Sequence, residues 1–234
     1  MTPSAFRAFT FDCYGTLIDW EQGILQAIRA LPGIDADDDA LLAAFARHEH
    51  AIQEQDPAMR YPDVLSHACK AIAADFGQAA TDEQASAFGA SIADWPPFPD
   101  SVEALAYLRQ HGLLMVLSNV DRASFAHSAR RLGDPFHAVV TAEDVGSYKP
   151  APAHFERATA LLSDEGIAPG EVLHVAQSLF HDVQPGRSAG FSTCWIDRRA
   201  GRPGGATPPV DVEPDITFHD LASLAAWHRA GGSR

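Results

Sequence analysis

Residues 5–11 (AFRAFTF) alternate apolar and polar side chains and then run into Asp12, as in a strand that delivers a side chain at its carboxyl end; Gly15 and Thr16 break the pattern. From Trp20 to about Asp94 the period becomes helical. The apolar runs ILQAI, ALLAAF, VLSHACKAIAADFG and QASAFGASIADW are separated by Pro32-Gly33, Asp56-Pro57 and Gly77, which predicts an insert of about four helices. Residues 95–99 (WPPFP) cannot continue a helix, because each proline fixes φ and removes a donor, so they read as a semi-rigid hinge.

Beyond the hinge, helices and strands alternate. The pattern predicts a helix from Asp100 or Ser101 through His111, ended by Gly112, and then a strand over Leu113 to Leu117. There follow a helix over Asp121 to Leu132, a strand over Ala138 to Val140, and a helix over Ala153 to Leu162. The last expected elements are a strand over Val172 to Ala176, a helix over Val183 to Ala189 and a strand over Thr193 to Ile196. Such alternation implies an α/β fold, a doubly wound parallel sheet with helices on both faces, whose ligands bind beyond the strand carboxyl ends. Residues 198–209 (RRAGRPGGATPP) read as a solvated loop, and no internal repeat is present.

A length of 234 residues suits one core domain plus a modest second unit, and 46% hydrophobic with 21% charged residues is an ordinary globular balance. The net charge of -14 argues against nucleic acid, whose phosphates require clustered Lys and Arg. A small anionic substrate would meet the same field, so its site needs a local cation. No apolar stretch approaches the ~20 residues that cross a bilayer, so no membrane partner is expected. With no basic, apolar leader in residues 1–11, the expected location is cytoplasmic. Cys13, Cys69 and Cys194 are widely spaced without a CxxC pair and read as reduced thiols in the packing. The spacing of His48, His50, His174 and His181 matches no common zinc pattern, so no metal site is expected from them.

Three strand ends carry chemistry: Asp12 in FDCYGTL, Ser118-Asn119 in LSN, and Gln177 through Asp182 after VLHVA. A loop adds Lys149 in YKP. In this order the motifs resemble the haloacid dehalogenase superfamily, and the wording around Asp12 is most similar to its L-2-haloacid dehalogenase branch. The resemblance implies a Rossmann-like core, residues 1–18 and 97–234, with a helical-bundle cap inserted at 19–96. It implies Asp12 as a covalent carboxylate nucleophile and Lys149 as the cation that keeps Asp12 ionised by lowering its pKa and offsets an anionic substrate. Asp182 would orient Lys149 or the hydrolytic water. Ser118 and Asn119 would bind the substrate carboxylate, with Tyr14 and Gln177 beside them. Gly15 provides positive φ for the sharp turn after the nucleophile.

Tyr14 is the decisive departure from family phosphatases, which place a second Asp there to protonate a leaving alkoxide. A halide leaving group needs no proton. Gln177, followed only later by Asp182, likewise supplies fewer hard oxygens for Mg²⁺ than phosphatases use. The expected activity is therefore cofactor-free cleavage of the carbon–halogen bond in short 2-haloacids. The alternatives are a Mg²⁺-dependent phosphatase of small phosphoesters and a catalytically silent binding protein. Leu179 and Phe155 stand where the branch usually has Asn and Tyr, which leaves the particular substrate open. The halide-binding arginine of the branch comes from the cap, and Arg47 is its nearest positional match, with Arg60 second. The family also makes a homodimer plausible.

Overall fold

In the computed structural model, residues 2–201 and 210–231 are described. Six parallel strands form one sheet: β1 Ala8–Phe11, β2 Leu113–Ser118, β3 Ala138–Thr141, β4 Val172–Ala176, β5 Ser192–Ile196 and β6 Ile216–Phe218. Their spatial order is β3-β2-β1-β4-β5-β6. The chain therefore leaves β1 toward one edge, then returns to build the other edge from β4. Between the carboxyl ends of β1 and β4 the winding reverses, and a crevice opens where ligands bind in such sheets. Phe9 pairs in register with Leu114 on one side and Leu173 on the other.

β1 and β4 are buried along their whole length, because helices cover both faces. Thr10 and His174 lie in these strands and satisfy each other, Thr10 Oγ1 to His174 Nδ1 at 2.9 Å. The alternation seen before β1 thus does not mark a solvent face.

Four helices follow β1 in sequence: α1 Trp20–Arg29, α2 Asp38–Gln55, α3 Tyr61–Asp75 and α4 Asp82–Ala90. Asp19, Asp37 and Thr81 cap α1, α2 and α4 by accepting a backbone N–H of the first turn. The connections into and out of this segment run side by side. Asp19 N donates to Pro96 O at 2.8 Å, and Phe98 N to Leu17 O at 3.0 Å. Trp95 is buried against Gly23, where a Cβ would lie 2.3 Å from the indole, so only glycine permits this contact.

The remaining helices are α5 Ser101–Leu108, α6 Arg122–Arg131, α7 Ala142–Val145, α8 Ala153–Asp164, α9 Gln184–Ser188 and α10 Leu221–Arg229. The sequence pattern anticipated neither α7, β6 nor α10. The expected helix over Val183 to Ala189 starts instead with a wide π-type turn, Leu179–Val183, that carries Asp182. Cys13, Cys69 and Cys194 are all buried. No helix among the described residues is long and apolar enough to cross a membrane.

The expectation of a solvated loop from Arg198 is corrected over its first two residues. The Arg198 guanidinium grips both Asp100 carboxylate oxygens at 2.9 Å, donates to Thr16 O at 2.7 Å, and lies 4.0 Å over the Phe98 ring. Arg199 pairs with Glu21 at 3.0 Å. These partners stand far away in sequence, so local composition could not reveal them. Residues 202–209 lie outside the described residues.

Candidate active site

Asp12 is the first residue past β1, and its N–H still donates to Val175 O at 3.1 Å, so the ladder fixes where the side chain starts. Its Oδ2 accepts from the Thr16 hydroxyl at 2.7 Å, and Thr16 Oγ1 in turn accepts from Gln177 N at 2.9 Å. The turn from β1 back to Thr16 requires Gly15 at φ +96, where a Cβ would meet Trp20 Nε1 at 2.9 Å.

The Lys149 ammonium has three protons and three partners: Asp12 Oδ1 at 2.9 Å, Asp182 Oδ1 at 2.6 Å and Leu117 O at 2.8 Å. Its side chain is 1% exposed, as is that of Asp182. Asn119 holds the lysine loop: its carbonyl oxygen accepts from Lys149 N at 2.7 Å and its amide donates to Lys149 O at 3.1 Å. On the far side, Asp182 Oδ1 also accepts from His174 Nε2 at 3.2 Å.

Burial opposes ionisation of Asp182, but the Lys149 ammonium and the His174 hydrogen bond outweigh it and hold the carboxyl at about 2. Asp12 moves the other way. Its burial, reinforced by the nearby Asp182 charge, outweighs the attraction of Lys149 and raises it above the usual carboxylate range. Lys149 does lower the Asp12 pKa, as expected, but one ammonium serves two carboxylates, and burial leaves the net shift of Asp12 upward. Lys149 itself, despite burial, is raised by its two acids and stays charged. Asp12 is therefore a basic, poorly solvated carboxylate.

A cavity of ≈ 100 Å³ opens over Asp12. Its floor is Asp12, Lys149, Asp182 and Gln177, and its opposite wall is Trp20, Glu21, Glu49, Gln53 and Tyr61 from α1 to α3. A model of haloacid dehalogenase-like hydrolases matches residues 6–190, which include every strand-end residue of this floor. The chain belongs to the haloacid dehalogenase-like hydrolases.

This hydrolase is 26% identical to the (S)-2-haloacid dehalogenase H-109 of Pseudomonas putida over 94% of the chain and 97% of that relative. It is also 32% identical to the N-acylneuraminate-9-phosphatase of Rattus norvegicus, over 44% of the chain and 42% of that protein. Its fold is that of the L-2-haloacid dehalogenase RSc1362, with a TM-score of 0.80, 24% identity and coverage of 96% and 99% of the two chains.

Of the residues singled out in the sequence, Asp12, Tyr14, Asn119, Lys149, Gln177 and Asp182 meet at this cavity. The Tyr14 hydroxyl points to Ser128 Oγ at 2.9 Å while its ring packs on Tyr61 and Trp95, and burial raises it well above the ordinary phenol range. Ser118 is fully buried outside the cavity wall, its hydroxyl without a partner among the described residues. Asn119 faces the cavity, yet its amide is engaged by the Lys149 backbone. Arg47 is not at the site: it lies on the exposed side of α2, paired with Asp75 at 2.5 Å. Glu49 and Gln53 of that helix face the cavity, and a residue two positions from Glu49 lies about 200° round the helix. Arg60 is directed to Asp121 at 3.2 Å.

Sequence reasoning missed Thr16, His174 and Glu49. The Tyr61 hydroxyl donates to Glu49 Oε1 at 2.5 Å, and burial pushes the Glu49 carboxyl up to about 7. Mg²⁺ is ordinarily held by one or two carboxylates, and here Asp12 and Asp182 both already accept from the Lys149 ammonium that stands between them, so the donor set is engaged by a cation of the chain itself.

Proposed function

We propose that this hydrolase is a 2-haloacid dehalogenase in which Asp12 is the nucleophile. The observation that carries this reading is Tyr14. The position that would hold a proton donor for an alkoxide leaving group has a phenol turned away to Ser128 and resistant to ionisation. Halide leaves with its electron pair and needs no proton, so it is the leaving group that suits this site. The dehalogenase relative that spans nearly the whole chain supports the same reaction.

A carboxylate oxygen of Asp12 attacks the substrate α-carbon; the carbon–oxygen bond forms as the carbon–halogen bond breaks, giving an aspartyl ester and free halide. Water then attacks the ester carbonyl carbon, and collapse of that adduct releases the 2-hydroxyacid, restores the Asp12 carboxylate and yields a proton. Lys149 holds the nucleophile and offsets charge, while Asp182 and His174 position Lys149. Residues 19–96 act as the cap and residues 1–18 and 97–234 as the core. The paired connections at Ile18 and Pro97 support this division as the place where the cap closes and excludes water.

The test is halide release from chloroacetate, fluoroacetate and 2-chloropropionate, with and without EDTA, against Asp12→Asn. Release that persists in EDTA and vanishes in the variant is the expected result. A single turnover in ¹⁸O-water should also leave label in the Asp12 carboxylate. No halide from any of the three would refute the proposal.

A further inference from the structure

The wall opposite Asp12 poses an electrostatic problem. Lys149 is the cation among the described residues that line the cavity, and its ammonium already has three partners. The same lining carries Asp12, Asp182, Glu21 and Glu49. Arg47, the cation expected from α2, is on the outer face with Asp75. A 2-haloacid brings a further negative charge into this space, where the low dielectric strengthens repulsion.

Glu49 offers the solution. Its Oε1 accepts from Tyr61, while no hydrogen bond from the described residues engages its other oxygen. That oxygen can carry a proton. A neutral carboxylic acid donates a hydrogen bond to a carboxylate, whereas the ionised form repels it.

We propose that Glu49, as its neutral acid, binds the carboxylate of the substrate and so determines that the cavity takes a carboxylate together with one proton. This rests on the 2-haloacid reading, and it assigns to a carboxyl on α2 the work of a cation. Its elevation to about 7 by burial means that the proton is present near neutrality at little cost. Several of the other groups that face it stay fixed in charge near neutrality. Tyr61 on α3 and Tyr148 ahead of Lys149 are both raised far above neutrality. His181, on the π-type turn, is pushed down to about 4 by burial, and Asp182 is held at about 2. Lys149 stays charged. Glu21, at the start of α1, is paired with Arg199 at 3.0 Å. Asp12 is common to the wild type and to any Glu49 variant.

The test uses inert probes, so it reads binding even if no halide is ever released. Titration calorimetry with propionate and with propionamide is run from about pH 6 to about pH 9 on the wild type and Glu49→Gln. Propionate is ionised throughout. Its Kd for the wild type should rise about tenfold per pH unit above about 7, with one proton taken up per ligand as read from buffers of different ionisation enthalpy. Propionamide should show no such rise. In Glu49→Gln the amide still accepts from Tyr61 and donates an N–H, so the variant should lose the rise in propionate Kd and the proton uptake that Glu49 adds to whatever the shared Asp12 contributes; its melting temperature reports that it is folded. The same propionate profile in both proteins, or no propionate binding at any pH, overturns the proposal. Binding as described without halide release from haloacids would instead leave Glu49 assigned and remove the dehalogenase reading.

Discussion

Lys149→Met removes the one ammonium between two buried carboxylates while nearly preserving side-chain volume. Asp182 is 1% and Asp12 8% exposed, so neither recovers its hydration. Deleting one partner of a buried, hydrogen-bonded charge pair costs about 3–5 kcal/mol. For a chain of this size each kcal/mol lowers Tm by about 2–4 °C, so the expected loss at neutral pH is about 6–20 °C. The pH dependence carries the cause. In the wild type, Asp182 is depressed to about 2, so its contribution is present above the unfolded value of about 3.8 and is lost only as pH falls toward 2. In Lys149→Met both carboxyls have folded values raised above their unfolded ones. The penalty is then absent below the unfolded range, and grows as pH rises through it toward the folded values. Scanning calorimetry at about pH 7 and about pH 4.5 should show at least a halving of the gap between variant and wild type. A gap under about 1 kcal/mol at neutral pH, or one equal at both pH values, would refute the claim that Lys149 neutralises this pair.

Three further perturbations test the scaffold. Gly15→Ala, at φ +96 with its new methyl 2.9 Å from Trp20 Nε1, should cost about 1–3 kcal/mol in urea unfolding and lower kcat; a neutral effect would contradict the strained turn. Arg198→Met should lose about 2–3 kcal/mol and reduce kcat with little change in KM, because Thr16, held through its carbonyl by Arg198, positions Asp12. Arg198→Lys should recover less than half of that stability, since one ammonium cannot replace the separate guanidinium nitrogens that reach Asp100 and Thr16 O, nor the planar contact over Phe98. Arg47→Ala should change stability by under about 0.5 kcal/mol and leave kcat/KM as it was, because its pair with Asp75 is at the surface; a tenfold fall in kcat/KM would return Arg47 to the site.

The strand-end residues were legible because their signals are local. An apolar run that stops at Asp12, a glycine three residues later, and similar stops at Ser118-Asn119 and Gln177 express backbone preferences within a few residues. These preferences imposed the alternating α/β order, the helical insert and its proline-rich exit, and the meeting of Asp12, Lys149 and Asp182 follows from that order. The segment AFARHEHAIQEQ, by contrast, is polar on nearly every side, so its pattern could not say whether Arg47 or Glu49 faces inward.

Only docking decided that. α2 turns Leu41, Leu42, Ala44 and Phe45 into the core, and this rotation places Glu49 over Asp12 and Arg47 in water. Arg198 finds Asp100 across a long stretch of chain, and His174 finds Asp182 because β4 ends beside a π-type turn. The charge balance is likewise tertiary. Burial raises Asp12, while a lysine and a histidine from other strands and loops lower Asp182. The sequence by itself determined which chemical groups stand at the strand ends, because backbone preference is short-ranged. The tertiary structure decided which of them are desolvated, paired or left to meet a substrate, because desolvation and Coulomb interactions depend on everything brought within a few ångströms.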